Sequence, residues 1–168
     1  MTSVKDRIVS WASQEDYEVH LESPPQNIPL EWIIRLTSKV PISANVIVQK
    51  PKDKDFIVIS MGVVLSKDHY EGLSKMKEGE RAELVYGIVR DLNCLCPDCT
   101  IIVQPGIADF QRLLATRTLY VEGLTRESFM ASVKIMVNIL ALLSLRLSAR
   151  FGPMPRAQRR PDESLGFI

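Results

Sequence analysis

The chain reads as an α+β domain: an antiparallel sheet of about six strands, packed by N-terminal, middle and C-terminal helices. Three features lead there. Apolar and polar residues alternate at period two through residues 17–65 and again through 101–121. Segments of helical period precede and interrupt these runs. Residues 125–150 then hold an apolar stretch too long for a strand, closed by Gly152 and Pro153.

That last stretch organises the rest. Thr125 supplies an N-cap hydroxyl, and Glu127 sits at the positive end of the helix dipole. At about 100° per residue, Phe129, Val133, Met136, Leu140, Leu143 and Leu147 share one face. Ile135, Ile139 and Leu142 form a second face beside it, and only Lys134, Asn138 and Ser148 make a polar strip. A helix apolar most of the way round must be covered on more than one side. Phe129 to Leu147 approaches the length of a membrane span, but Lys134 inside it would cost about 2.5–3.5 kcal/mol at mid-bilayer, so a core helix is expected.

The preceding elements follow in order. Val4, Ile8, Trp11 and Ala12 recur at helical spacing, and Gln14 to Asp16 end that helix. Tyr17, Val19 and Leu21 alternate with Glu18, His20 and Glu22, a strand wet on one side. Ser23 to Pro29 contains three prolines and is a loop. Trp32, Ile34 and Leu36 alternate with Ile33, Arg35 and Thr37; after Pro41, Ala44, Val46 and Val48 resume the pattern. Lys50 to Asp55 is a charged turn, and Phe56 to Leu65 is apolar on both faces, which predicts a central strand covered on both sides. Ser66 caps a short helix over 67–76, and Glu78 with Gly79 separates it from a longer one over 80–95 whose inner face is Leu84, Val85, Ile88, Val89 and Leu92. Pro97 stops that helix. Ile101 to Val103 is a short strand, Pro105 and Gly106 turn, and a last strand lies between Gln111 and Val121. Gly123 is expected to permit the turn into the final helix. Residues 1–151 thus form one α+β domain, and 152–168 a Pro/Arg-rich mobile tail.

The element order helix, four strands, helix, two strands, long helix resembles type III secretion chaperone-like folds and YbjN-like proteins. The junction Tyr120-Val121-Glu122-Gly123-Leu124-Thr125, followed by Arg126-Glu127-Ser128-Phe129-Met130, looks like their strand-to-last-helix joint. Within that group, residues 1 to about 150 are most similar to an archaeal family of unknown function. The resemblance implies an antiparallel α+β domain, often dimeric, that binds other proteins, and it carries no catalytic residues across.

Net charge is +1 with no single-sign block in the body of the chain, so no long-range field for nucleic acid or acidic lipid is expected. Met1 to Trp11 shows no secretory apolar run, and a cytoplasmic location is the expectation. Cys94, Cys96 and Cys99 make C-x-C-P-x-C, which leaves four readings open. The thiols are a simple cluster, or a disulfide crosses the turn, or they give three of four zinc ligands with His20, His69 or a partner chain as the fourth, or they act as a redox C-x-x-C. The redox reading is weakened because the cysteines follow a helix, where the dipole raises rather than lowers a thiol pKa. His20 and His69 sit in no ligand frame and are expected at the surface. Glu78, Glu80 and Glu83 interleave with Lys75, Lys77 and Arg81, a solvated helix surface. The tail, with Arg150, Arg156, Arg159 and Arg160, could touch phosphate but is expected only to solubilise. No phosphate loop, nucleophile elbow or dinucleotide fingerprint occurs.

No catalytic residue is expected, and the one cofactor left open is zinc at the cysteines; the alternative functions are a small metal- or thiol-dependent protein built on Cys94, Cys96 and Cys99, or a nucleic-acid accessory using the basic tail. The function expected is non-enzymatic protein binding, with the chain itself as first partner and a client protein as second. Ile135, Ile139 and Leu142, or an exposed sheet edge, are the candidate interface.

Overall fold

The structure, a computed structural model, describes residues 3–38 and 42–152. The elements are α1 (Val4–Gln14), β1 (Glu18–Glu22), β2 (Leu30–Ser38), β3 (Ala44–Pro51), β4 (Phe56–Val64), α2 (Lys67–Ser74), α3 (Glu78–Leu95), β5 (Thr100–Gly106), β6 (Asp109–Tyr120) and α4 (Arg126–Phe151). The fold is α+β, and six strands form one antiparallel sheet in the order β1-β2-β3-β4-β6-β5. The tail after Gly152 lies outside the described residues.

Alternation decides which side chains meet the helices. Trp32, Ile34 and Leu36 of β2, Val46 and Val48 of β3, and Ile57, Ile59 and Met61 of β4 are buried in one cluster with α1, α3 and α4. On β6 the odd residues Leu113 and Ala115 belong to it. Phe110 joins them despite its even number. Gln104 pairs with Arg112 but Pro105 with Phe110, so Gln111 is an extra residue on β6. The bulge turns the chain over by one face and drives the Phe110 ring inward, 1% exposed.

α4 lies across the middle of this face. Thr125 caps it, accepting from the Ser128 N–H, and the Ser128 hydroxyl accepts from the Thr125 N–H in return. Phe129, Val133, Met136, Ile139, Leu143 and Leu147 are each 0–1% exposed. α1 covers the N-terminal half of one flank, with the Trp11 and Phe129 rings 6.0 Å apart. Arg7 lies 4.8 Å over the Trp11 ring and donates to the Leu124 carbonyl at 2.6 Å. Glu15, at the end of α1, accepts from Arg126 at 2.9 Å and from Lys134 at 3.2 Å. Lys134, the charge that argued against a bilayer, therefore clamps α1 to α4. By length and composition alone α4 could cross a membrane; here its apolar surface is the core of the domain.

Several boundaries and faces differ from the sequence reading. β4 is central, between β3 and β6, but only one of its faces is covered by helices: Ile57, Ile59 and Met61 are buried, whereas Val64 on the other side is 49% exposed. A continuous apolar run does not separate a strand covered twice from one whose outer face carries aliphatic residues into solvent. α3 starts at Glu78 rather than Glu80, with Lys77 as its N-cap and Gly79 inside the first turn. Pro105 and Gly106 end β5 instead of turning; β5 is an edge strand, where a missing N–H breaks no ladder. Gly123 adopts no positive φ, so that joint does not depend on glycine.

Candidate functional site

The register places a second set of residues on the sheet face away from the helices. On β1 and β2 these are Glu18, His20, Glu22, Ile33, Arg35 and Thr37; Ile47 and Gln49 follow on β3. On β4, β6 and β5 they are Phe56, Val58, Ser60 and Val64, then Leu114, Thr116, Thr118 and Tyr120, then Thr100 and Ile102. None of them belongs to the helix-side core. Ile33 and Ile47 are nonetheless buried, beside the ion pair of Glu22 with Arg35. Three of the exposed large apolar side chains lie here: Tyr120 (70%), Val64 (49%) and Ile102 (37%). The Phe56 and Tyr120 rings meet edge to face at 6.2 Å.

The two halves of this face differ in charge. β1 and β2 bring Glu18, Glu22 and Arg35, with Glu18 4.0 Å from His20. Across β4, β6 and β5 the formal charges that turn this way among the described residues are Arg112 and, beyond the bulge at the end of β6, Asp109; most of the rest is threonine, serine, aliphatic or aromatic. Depletion of charge with aromatic and aliphatic side chains marks the core of a protein interface, and charged residues mark its rim.

The helical face proposed from sequence is not free. Ile139 is 0% exposed, and Ile135 and Leu142 are partly buried against the same core. α3 runs beside this flank of α4, with Asp91 ion-paired to Arg146. Much of that flank is thus packed within the chain, while Leu145, 66% exposed, stays in solvent. Spacing along one helix could not show which neighbour lies beside it.

The cysteines separate. Cys96 and Cys99 are disulfide-bonded across the turn, with Cα atoms 5.3 Å apart, and are 2% and 8% exposed. The Cys99 N–H donates to the Cys96 carbonyl at 3.1 Å, and Asp98 accepts from Arg117 of β6 at 3.2 Å. Cys94 is a free, exposed thiol. The three sulfurs therefore do not converge as a ligand set, and no group of three or more His, Cys, Asp or Glu among the described residues could hold a metal. His20 is exposed, as expected. His69 is not: at 1% exposure it points inward from α2, its Nε2 3.3 Å from the Gly152 carbonyl and its ring 6.1 Å from that of Phe151. The register of a two-turn helix with so few apolar residues gave no sign of this.

Among the described residues two side chains have shifted proton affinities, both at the α1 clamp. Hydrogen bonds from Lys134 and then Arg126 hold the Glu15 carboxyl below its ordinary value. Burial, aided by the Glu15 charge, pushes the Tyr17 hydroxyl up.

Among curated proteins none matches the chain. Among solved structures it is similar to an uncharacterized protein from Methanothermobacter thermautotrophicus, at 19% identity and a TM-score of 0.77 over 88% of this chain and 99% of that one. It is more distantly similar to YbjN from E. coli, at 13% identity and a TM-score of 0.44 over 86% and 89% of the two chains. The first likeness shows a shared fold. A family model described as "Uncharacterized conserved protein (DUF2299)" matches residues 4–147, and the chain belongs to that family.

Proposed function

We propose that the chain is a non-enzymatic protein-binding module of the adaptor or chaperone type and that it acts as a homodimer through its uncovered sheet face. The observation that carries this reading is the contrast between the two faces of the sheet. One is covered by four helices except at its β1 edge, where Leu21 is 61% exposed; the other has no helix over it and carries a charge-poor patch with Tyr120, Val64 and Ile102 in solvent. Six strands about 4.8 Å apart and roughly 3.4 Å per residue over a strand of nine residues give an area of about 800 Å². A stable interface buries about 800 Å² per partner, so a dimer needs the whole face, with the β4, β6 and β5 patch of roughly 450 Å² as its core and the charged β1 and β2 half as its rim. A second copy brings the same mostly neutral side chains, so few like charges meet across the patch. Two such sheets would pack about 10 Å apart, with helices on both outer sides.

Sedimentation equilibrium at tens of micromolar tests this. The reading expects a mass twice the 19.0 kDa of one chain. Thr118→Glu with Ile102→Glu, both at exposed positions, is expected to give a monomer with an unchanged circular dichroism spectrum. A wild-type chain that stays at 19.0 kDa ends the homodimer reading, and a double variant that stays dimeric ends the assignment of the face.

A further inference from the structure

We infer that the outer groove between α3 and the C-terminal half of α4 is a docking site for an amphipathic helix from a partner protein, one with acidic side chains along one flank and basic ones along the other. The groove encloses about 900 Å³. Its α3 wall runs from Glu80 to Arg90, about 15 Å or three turns at 1.5 Å per residue. A helix of about 11 Å diameter, sunk to half its depth over that length, displaces roughly 700 Å³. The space therefore takes three turns of helix.

The floor is apolar at Met76 and Leu84 and bare at Gly87. Gly87 is the informative residue. A glycine inside a helix costs about 0.5–1 kcal/mol relative to alanine. Packing within the chain does not call for it, because a Cβ there would come no nearer than 3.9 Å to the Arg146 guanidinium, an ordinary contact. An incoming helix does call for it, since a missing side chain at mid-groove lets two backbones approach. Tyr86, 61% exposed, stands at the rim as an aromatic contact.

The walls differ in charge, and part of it is unmet within the chain: α3 brings Glu80, Glu83 and Arg90, and α4 brings Arg146 and Arg150. On α4, Arg146 and Arg150 are one turn apart. Asp91 pairs with Arg146 and, at 3.4 Å, with Arg90, while Arg150 has no partner among the described residues. On α3, Glu80 and Glu83 likewise have none there. A helix lying between the walls satisfies what is left over only if its flanks differ in sign: a carboxylate facing Arg150, beyond the Asp91-paired Arg146, and ammonium or guanidinium groups facing Glu80 and Glu83. This surface is separate from the sheet face, so a monomeric chain could still hold the helix, and a dimer that failed to hold it would remain a dimer.

The test is fluorescence anisotropy with three labelled synthetic helices sharing one leucine seam: one with a Glu flank and a Lys flank, one with Glu on both, one with Lys on both. The mixed helix is expected to saturate in the micromolar range and to bind at least tenfold tighter than either uniform one. Arg150→Glu and, separately, Gly87→Leu are each expected to weaken it at least tenfold; the second change favours helix, so circular dichroism should show α3 retained. No saturable binding of the mixed helix below 100 µM, equal binding of all three, or both variants binding within twofold of wild type would each overturn the inference.

Discussion

Replacing Gly72 with alanine should destabilise the domain, although the same change in most helices stabilises it. Gly72 lies inside α2, and a Cβ there would sit 2.6 Å from Cδ1 and 2.9 Å from Cε1 of Phe151, the last residue of α4. The helix backbone cannot retreat, so the ring must. Displacing a partly buried phenylalanine returns roughly 60–80 Å² of apolar surface to water, or about 1.5–2 kcal/mol at 25 cal/mol per Å². Alanine's better helix propensity returns about 0.5–1 kcal/mol. The net loss is about 1 kcal/mol, or roughly 2–4 °C in Tm for a domain of this size. In a Phe151→Ala background the obstacle is gone, and Gly72→Ala should raise Tm by about 2–3 °C through propensity alone. Thermal and urea denaturation of the four proteins closes the double-mutant cycle. A Gly72→Ala effect of the same sign in both backgrounds would refute the contact and, with it, the anchoring of the end of α4 by α2.

Three further outcomes follow from the core and the clamp. Met136→Ala, at a site 0% exposed in the middle of α4, should cost about 2–4 kcal/mol by urea denaturation, and a loss under 1 kcal/mol would mean that α4 is not the core helix. Because the folded-state pKa of Glu15 is lowered, its bonds to Lys134 and Arg126 stabilise the domain above the ordinary carboxylate pKa and are lost as pH falls through the lowered value. Glu15→Gln should therefore lower Tm at pH 7 and match wild type at the acid end, and a Tm gap that persisted or widened in acid would contradict the clamp. Thiol titration in denaturant without reductant should count one free thiol, Cys94; reduction of the Cys96–Cys99 bond, which closes a loop of about four residues, should cost at most about 2 kcal/mol. Three free thiols in the untreated protein would show that bond to be absent.

Much of the architecture was legible because it rests on period. The alternation of Trp32, Ile34 and Leu36 and the cap at Thr125 are local signals, and the structure keeps both. What stayed hidden depends on neighbours distant in sequence. Phe110 faces the core only because Gln111 is an extra residue against β5, and a single phase shift in the alternation, from Phe110 to Leu113, does not by itself show whether the chain bulges there or the strand begins there. His69 is buried by the end of α4, more than eighty residues on. Ile139 looked like spare surface because nothing along α4 shows that α3 lies beside it. The sheet face now proposed as the interface is half visible: Phe56 to Leu65 reads as apolar on both faces, but which face stays uncovered depends on where the four helices go. The α3–α4 groove was not visible at all, since its walls come from segments about sixty residues apart.

Hydroxyl-radical footprinting at nanomolar and at tens of micromolar concentration tests the uncovered sheet face most directly. Tyr120, Phe56, Leu114 and Ile102 should lose reactivity as concentration rises, while Leu145 and Tyr86 on the helical side keep theirs. Protection at Leu145 and none at Tyr120, or no change anywhere, would contradict the assignment of that face.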